Sequence, residues 1–128
     1  MRTILGMLVA FVLSAGLTFG HHGYAEYDRN TAVTLEGTIL HVMWANPHVV
    51  VTIKTQERGE YTIEWRAISQ LWRDGITSNP FKEGDHLVVT GPINRNPEKH
   101  ILTLVQEMTR PADGWHWVNN WSSTPVRR

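Results

Sequence analysis

The chain has 128 residues, which suits one domain, and it contains no cysteine, so disulfides, thiolate catalysis and Cys-type zinc sites are excluded. Its 12 Lys and Arg balance its 12 Asp and Glu, which argues against a surface for nucleic acid or anionic membrane, because such partners need clustered positive charge. Seven His and six Trp are high for this length and direct attention to metal ligands and aromatic surfaces.

Residues 1–20 have the pattern of a secretory signal peptide. Arg2 gives a positive start, and an apolar run of about ten residues begins at Ile4, which is too short to span a bilayer. Small residues follow, so we expect cleavage after Gly20 or after Gly16 and a periplasmic or secreted protein. A retained anchor is the alternative, but no further apolar stretch or basic stop follows. We expect no membrane span after cleavage.

Residues 21–110 have the pattern of a small β-barrel preceded by an arm. His21 to Asn30 lacks periodicity and is expected to be extended. Runs of β-branched and aromatic residues then alternate with polar residues, which predicts strands. The predicted strands are Thr31–Trp44, Val49–Lys54, Tyr61–Arg66, Leu87–Gly91 and Ile101–Met108.

Gly37 interrupts the first predicted strand. Val33 and Leu35 lie on one face of this strand, whereas Leu40 and Val42 lie on the other. We therefore expect the inward face to switch across Gly37 at a bend or bulge. Such a bend would let one strand serve both halves of a barrel.

The apolar period changes between the third and fourth strands. Ile68, Leu71 and Trp72 fall at i, i+3 and i+4, which predicts a short helix with one apolar face, and Gly75 is placed to end it. Three strands, a helix and two strands follow the order of the OB-fold. The predicted class is therefore all-β with one short helix, a five-stranded OB-like Greek-key barrel. A plain meander with a helix on one face is the alternative.

Tryptophan dominates the end of the chain. Residues 111–128 carry Trp115, Trp117 and Trp121 and are predicted to be a tail without clear regular structure. Packing over the barrel is the favoured interpretation of these side chains, and a groove for a protein partner is the alternative. Trp65 and Trp72 are expected in the core, because they fall on the apolar faces of the third strand and the helix.

His21, His22 and His48 are the candidate metal ligands. Neutral imidazole is a common metal ligand, and cleavage after Gly20 would add the α-amine of His21. An amine and imidazole nitrogens suit copper, in a ligand set resembling a histidine brace. His48 follows the stiff Asn46-Pro47 turn, in which Asn46 is expected to bond its own backbone. The alternative is that His21 and His22 form a solvated arm end and His48 caps a strand.

Several segments together resemble one protein family. They are His21-His22-Gly23-Tyr24 after the signal peptide, G-T-I-L-H-V-M-W-A-N-P-H at 37–48, I-S-Q-L-W-R-D-G-I at 68–76, and Gly84-Asp85. The family consists of short exported bacterial proteins of unknown function with a His-His-Ser-Phe-like mature start and a W-x-N-P-H-like turn. The resemblance covers His21 to Met108, with Gly23-Tyr24 where Ser-Phe is usual. It implies export and no particular activity.

These patterns predict an exported β-barrel binding protein that holds a copper-type ion through His21, His22 and His48. The alternative is a structural or interaction module that holds an exported protein partner through Trp-rich surfaces, without a metal. The sequence has no Gly-rich phosphate loop, no G-x-S-x-G element and no paired carboxylates, so we do not expect an enzyme. An open copper site would still permit redox chemistry. We expect no nucleic-acid partner.

Overall fold

The computed structural model describes residues 24–120, which are built mainly from β-strands. The elements in chain order are β1 (Tyr27–Met43), β2 (Val50–Thr55), β3 (Gly59–Glu64), α1 (Ile68–Arg73), β4 (His86–Asn94), β5 (Ile101–Leu102), β6 (Glu107–Arg110) and β7 (Trp115–Val118). Short 3-10 turns lie at Tyr24–Glu26 and Pro97–Lys99. The predicted signal peptide lies outside the described residues. No helix within 24–120 is long and apolar enough to cross a membrane.

Five strands close into a barrel. Their order is β1-β2-β3-β5-β4, and β4 pairs back to β1. β3 and β5 are parallel, whereas the other neighbours in the barrel are antiparallel. Because β1 and β4 pair with each other, the barrel has no unpaired strand edge between them. The prediction of an all-β fold with a closed five-stranded barrel and one short helix is confirmed, while its finer assignment to the OB type stays a prediction.

The long strand β1 belongs to both halves of the barrel. Its residues 32–38 pair with β4, and residues 37–43 pair with β2. Gly37 lies in the overlap and pairs with Thr55 on one side and Leu87 on the other. A Cβ atom at Gly37 would lie 2.5 Å from the Lys54 carbonyl oxygen, so only glycine fits this crossing without displacement. As predicted, one strand serves both halves of the barrel.

The inward face of β1 changes at a different residue. Leu35, Gly37 and Ile39 are all buried, so the alternation continues unchanged through Gly37. The pairing with β2 becomes irregular between Ile39 and His41, and Leu40 is exposed. The prediction that the face switches across Gly37 is therefore wrong. The bulge lies beyond the crossing, because the pairing of β1 with β4 ends at Thr38 while the pairing with β2 continues to Met43.

The core occupies the inside of the barrel and the space under α1. Leu71 of α1 is fully buried, and Gly75 ends the helix in the left-handed conformation (φ 86°), both as predicted. Trp65 is buried as predicted, but Trp72 is 60% exposed, so the expected core position of Trp72 is wrong. A helix of six residues buries a narrow strip, in which Leu71 is buried and Ile68 is partly buried.

The predicted fifth strand is divided into two short strands that pair at different places. β5 pairs with β3 and with Ile93 at the end of β4, whereas β6 pairs with residues 88–90 of β4. Leu104, between them, has φ 50°, which is uncommon for a residue with a branched side chain. Gly91 allows this segment to cross closely, because a Cβ there would lie 2.9 Å from Leu102 Cδ2. The alternation of apolar and polar residues along Ile101–Met108 does not indicate that this segment is divided into two strands.

Part of the predicted irregular tail is the strand β7, which pairs with β6. Trp117 is buried with its ring 5.3 Å from that of Trp65, and Trp115 lies 5.0 Å from Phe81. Packing over the barrel is therefore confirmed for these two tryptophans, and the expectation of no regular structure is wrong for Trp115–Val118. Trp121 lies outside the described residues.

Candidate functional site

The Asn46-Pro47-His48 corner joins β1 to β2 and contains a cis peptide bond between Asn46 and Pro47. Asn46 Oδ1 accepts a hydrogen bond from the Ile68 backbone N–H at 3.1 Å, so it fixes the start of α1. The expected bond of Asn46 to its own turn is replaced by this longer-range contact. The β2–β3 ladder continues towards the corner, because Val49 exchanges backbone hydrogen bonds with Trp65 and Arg66. His48 is exposed on this anchored corner.

A cavity of about 450 Å³ lies beside His48. Arg29 of β1, together with Trp65 and Arg66 after β3, contributes to its lining. The segment 103–106 between β5 and β6 also lines it. The cavity therefore collects residues from distant parts of the sequence, and its shape depends on closure of the barrel.

The beginning of β1 brings the N-terminal part of the chain to this cavity. Tyr27 pairs with Asn94 and Ala32 pairs with Pro92, so residues 28–31 form an excursion from the ladder. Asp28 holds this excursion by accepting hydrogen bonds from the Asn30 N–H and the Thr31 hydroxyl, and these bonds lower the pKa of Asp28. Arg29 lies within the excursion and lines the cavity.

Tyr27 connects the same region to the end of β3. Burial raises the pKa of the Tyr27 hydroxyl above its ordinary value, a hydrogen bond with Asn94 partly opposes this shift, and the negative charge of Glu64 adds to it. Glu64 is the last residue of β3 and pairs with Val50 at the start of β2. The Tyr27 side chain at the start of β1 therefore lies close enough to the end of β3 to interact electrostatically with Glu64.

Arg66 is held at the cavity by an ion pair. Its Nη1 donates to Asp74 Oδ2 at 2.7 Å, and both side chains are less than one-fifth exposed. Trp117 Nε1 donates to the same oxygen at 3.1 Å. The pair therefore connects the end of β3, the helix terminus and β7. The contact between Arg66 and Asp74 depends on how α1 folds back, so no sequence pattern indicates it.

Trp65 has a polar group without a partner. The side chain is 3% exposed and lines the cavity, and its Nε1 atom makes no hydrogen bond in the described part of the chain. A buried donor of this kind is uncommon and requires an explanation. Sequence reasoning assigned Trp65 to the core, which is confirmed, but no sequence signal indicated its second role as part of a cavity.

The three predicted metal ligands fall into two groups. His48 lies at the cavity, whereas His21 and His22 lie outside the described residues. Within residues 24–120, no three His, Asp or Glu side chains are grouped so as to hold a metal ion. Elsewhere, His86 and His116 contact glutamates, Glu36 at 2.6 Å and Glu107 at 2.7 Å. Both pairs lie on the barrel surface with nearly half of each histidine exposed.

Comparisons with known proteins show the following. A family of unknown function, DUF6152, matches residues 10–103. No curated protein matches. Among solved structures, apo TiaS, a tRNAIle2 agmatidine synthetase, is similar over 65% of this chain at 16% sequence identity and a TM-score of 0.47. This chain covers 18% of that one. A similarity of this extent carries no argument about function.

Proposed function

We propose a binding function for this chain, which belongs to the family of unknown function DUF6152. In this proposal it is an exported β-barrel protein that holds a copper-type metal ion through His21, His22 and His48. The protein would act in the periplasm or outside the cell, as the pattern of residues 1–20 predicts.

The observation that carries the proposal is that Arg29 and His48 line one cavity. Arg29 lies seven positions after His22, and an extended chain of seven such steps reaches roughly 23–25 Å. The N-terminal histidines therefore begin within reach of the corner that holds His48. A second supporting fact is that Asn46 ties this corner to α1, because a ligand on a fixed backbone binds with less loss of conformational freedom.

The chemistry of the proposed ligand set favours a transition metal over Ca²⁺ or Mg²⁺. Imidazole nitrogens suit copper, nickel and zinc, whereas the alkaline-earth ions prefer oxygen ligands. If cleavage follows Gly20, the α-amine of His21 adds a further nitrogen. Copper(II) forms the most stable complexes with such a set among the divalent first-row metals.

The first experiment is mass spectrometry of the mature N-terminus. A chain that begins at His21 supports the amine-containing site, and one that begins at Leu17 removes the amine from it. The second experiment is copper titration of the exported protein and of the variants His21→Ala, His22→Ala and His48→Ala. Each is expected to weaken binding at least about ten-fold, since even residues that only support metal ligands have effects of this size.

His116→Ala is the matched control, because His116 contacts Glu107 on the barrel surface and takes no part in the proposed site. It should leave copper affinity unchanged. Equal copper affinity in wild type, His21→Ala and His48→Ala would refute the metal proposal.

A second candidate function is an interaction module, and the exposure of Trp72 favours it. Trp72 is 60% exposed on α1, and exposed tryptophan is enriched where proteins bind partners. Trp115 and Trp117 pack against the core, so they contribute less to the predicted Trp-rich partner surface than the sequence suggested. If the protein is an interaction module, crosslinking in the exported fraction should capture a partner with wild type and with His48→Ala. Trp72→Ala should fail to capture that partner. Retention of the partner by Trp72→Ala would contradict it.

A further inference from the structure

The bulge in β1 decides which side chains of this strand face outward. Ile39, just before the bulge, is buried, so regular alternation would continue inward with residues 41 and 43. Instead Val42 packs against the core, and His41 and Met43 are exposed. The bulge has therefore turned both side chains out of the barrel. Bulges that re-aim side chains in this way are over-represented next to functional sites.

His41 and Met43 present two metal-binding atoms on one face of the β1–β2 ladder. They are two positions apart on the strand, which separates their Cα atoms by about 6.4–6.8 Å. The His41 side chain is 67% exposed and Met43 is 47% exposed. Both side chains are long enough for an imidazole nitrogen and the thioether sulfur to meet at one ion. Their partners on β2 are Thr52 and Val50, neither of which carries a charge that would repel a cation.

A carboxylate lies beside His41 on the other side of its ring. The turn that carries Glu83 is anchored to β1, because the Gly84 N–H donates to the Ile39 carbonyl at 2.8 Å and the Ile39 N–H donates to the Asp85 carbonyl at 2.8 Å. Glu83 Oε1 is thereby 3.6 Å from His41 Nδ1. A histidine that binds a metal commonly directs its other ring nitrogen to a carboxylate, which fixes the tautomer and the ring orientation. With Nδ1 facing Glu83, the Nε2 atom is left for an ion.

We propose that His41 Nε2 and Met43 Sδ bind a soft monovalent metal ion of the Cu⁺ and Ag⁺ class. A thioether selects Cu⁺ among biological metals, whereas Ca²⁺ and Mg²⁺ prefer oxygen ligands. The proposal goes beyond the metal function above and does not depend on His21, His22 or His48. Neither His41 nor Met43 lines the cavity beside His48, so the two sites are separate.

The test is an NMR titration of the exported protein with Ag⁺, a redox-stable ion of the same class, after isotope labelling of the methionine methyl groups. The Met43 methyl signal should shift saturably. The Met108 methyl group is the internal control, because Met108 is fully buried, and its signal should not move. Absence of a saturable shift at Met43 would overturn the proposal.

The same titration with Zn²⁺ tests the assignment to a soft ion. Zn²⁺ takes imidazole, thiolate and carboxylate ligands rather than a neutral thioether, so it should act on the Met43 signal at least about ten-fold more weakly than Ag⁺. Zn²⁺ binding as tight as Ag⁺ would overturn that assignment.

Replacing either ligand should weaken Ag⁺ binding at least about ten-fold, since even residues that only support metal ligands have effects of this size. For His41→Ala the readout is the Met43 methyl signal. For Met43→Leu, which conserves side-chain volume, the readout is the His41 ring signals. His116→Ala is the matched control, because His116 also contacts a glutamate, Glu107, but has no methionine two positions away. Equal affinity in His41→Ala and wild type would overturn the proposal.

Glu83 is a positioning residue in this proposal, and Glu83→Gln tests that role. The variant should weaken Ag⁺ binding about ten- to hundred-fold. At saturation its Met43 methyl signal should reach the same position as in wild type, because the two ligands are unchanged. Unchanged affinity in Glu83→Gln would overturn the role of Glu83.

His48→Ala separates this site from the one proposed above. It should lose copper affinity at the His48 site and keep the Ag⁺-dependent shift of Met43, whereas Met43→Leu should keep copper affinity at the His48 site. Loss of the Met43 shift in His48→Ala, with its fold intact by circular dichroism, would refute the independence of the two sites.

Discussion

Replacing Gly37 by alanine tests how the barrel is closed. The backbone of Gly37 is not in the left-handed region, so alanine can adopt the same conformation. In a compatible backbone, Gly→Ala stabilises a protein by about 0.4–1 kcal/mol through the unfolded state. The sign of the effect at Gly37 therefore depends on whether a Cβ atom fits between β1 and β2.

The structure indicates that it does not fit. The added Cβ would lie 2.5 Å from the Lys54 oxygen and 2.9 Å from the Lys54 carbonyl carbon, which is 0.9 Å and 0.5 Å inside the 3.4 Å where ordinary contact begins. The contacted atoms are backbone, and β1 is paired on both sides at this residue, so it cannot move away without breaking a ladder. Overpacking costs about 1–3 kcal/mol, and we expect the upper end.

After the gain through the unfolded state is subtracted, Gly37→Ala should lower the free energy of unfolding by about 2 kcal/mol. For a domain of about 100 residues this corresponds to a fall in Tm of roughly 8–16 °C. The assay is thermal and urea unfolding followed by circular dichroism. Thr38→Ala, at the exposed next position of the same strand, is the control and should change stability by less than about 1 kcal/mol. An unchanged or raised Tm in Gly37→Ala would refute the steric argument.

Two further outcomes follow from the helix and from the hairpin of β6 and β7. Leu71→Ala should lower the free energy of unfolding by about 2–5 kcal/mol, because Leu71 is fully buried. Trp72→Ala should lower it clearly less in the same urea assay, because Trp72 is 60% exposed. Equal losses in the two variants would contradict the packing of α1. Arg110 donates to Asp113 at 3.0 and 2.9 Å, and these bonds, with one from the Trp115 N–H, hold the pKa of Asp113 below its ordinary value. Asp113 thus stabilises the fold fully above its ordinary pKa and loses this effect as the pH falls through the lowered value, so the stability difference between wild type and Asp113→Asn should disappear in acid. Urea unfolding between about pH 2 and pH 7 measures it, and a difference independent of pH would contradict this reasoning.

Local patterns predicted most of the barrel. Val51 and Ile53 on β2, and Tyr61 and Ile63 on β3, are buried as their alternation requires. The same reasoning placed Trp72 in the core, because spacing identifies a face but not how much of it a six-residue helix can bury.

The candidate site was predicted less completely. His48 was predicted as a ligand because it follows a turn signal; it lies at a cavity, and its role as a ligand stays a prediction. Arg29 and Leu104 gave no signal, because each becomes part of the site only through contacts with strands far away in the sequence. His21 and His22 rest on the sequence pattern alone and await the titrations above.

The amino-acid sequence by itself determined the strand-rich class, the short helix with its glycine end, and the core positions that alternate along each strand, because these depend on neighbouring residues and their periods. Only the tertiary structure decided that β1 keeps its inward face through Gly37 and becomes irregular beyond Ile39, that Ile101–Met108 divides into two strands, and that Trp115 and Trp117 pack on Trp65. The physical reason is that each of these depends on which backbones approach one another after the barrel closes. A sequence records the side chains that meet there but not the distances between them.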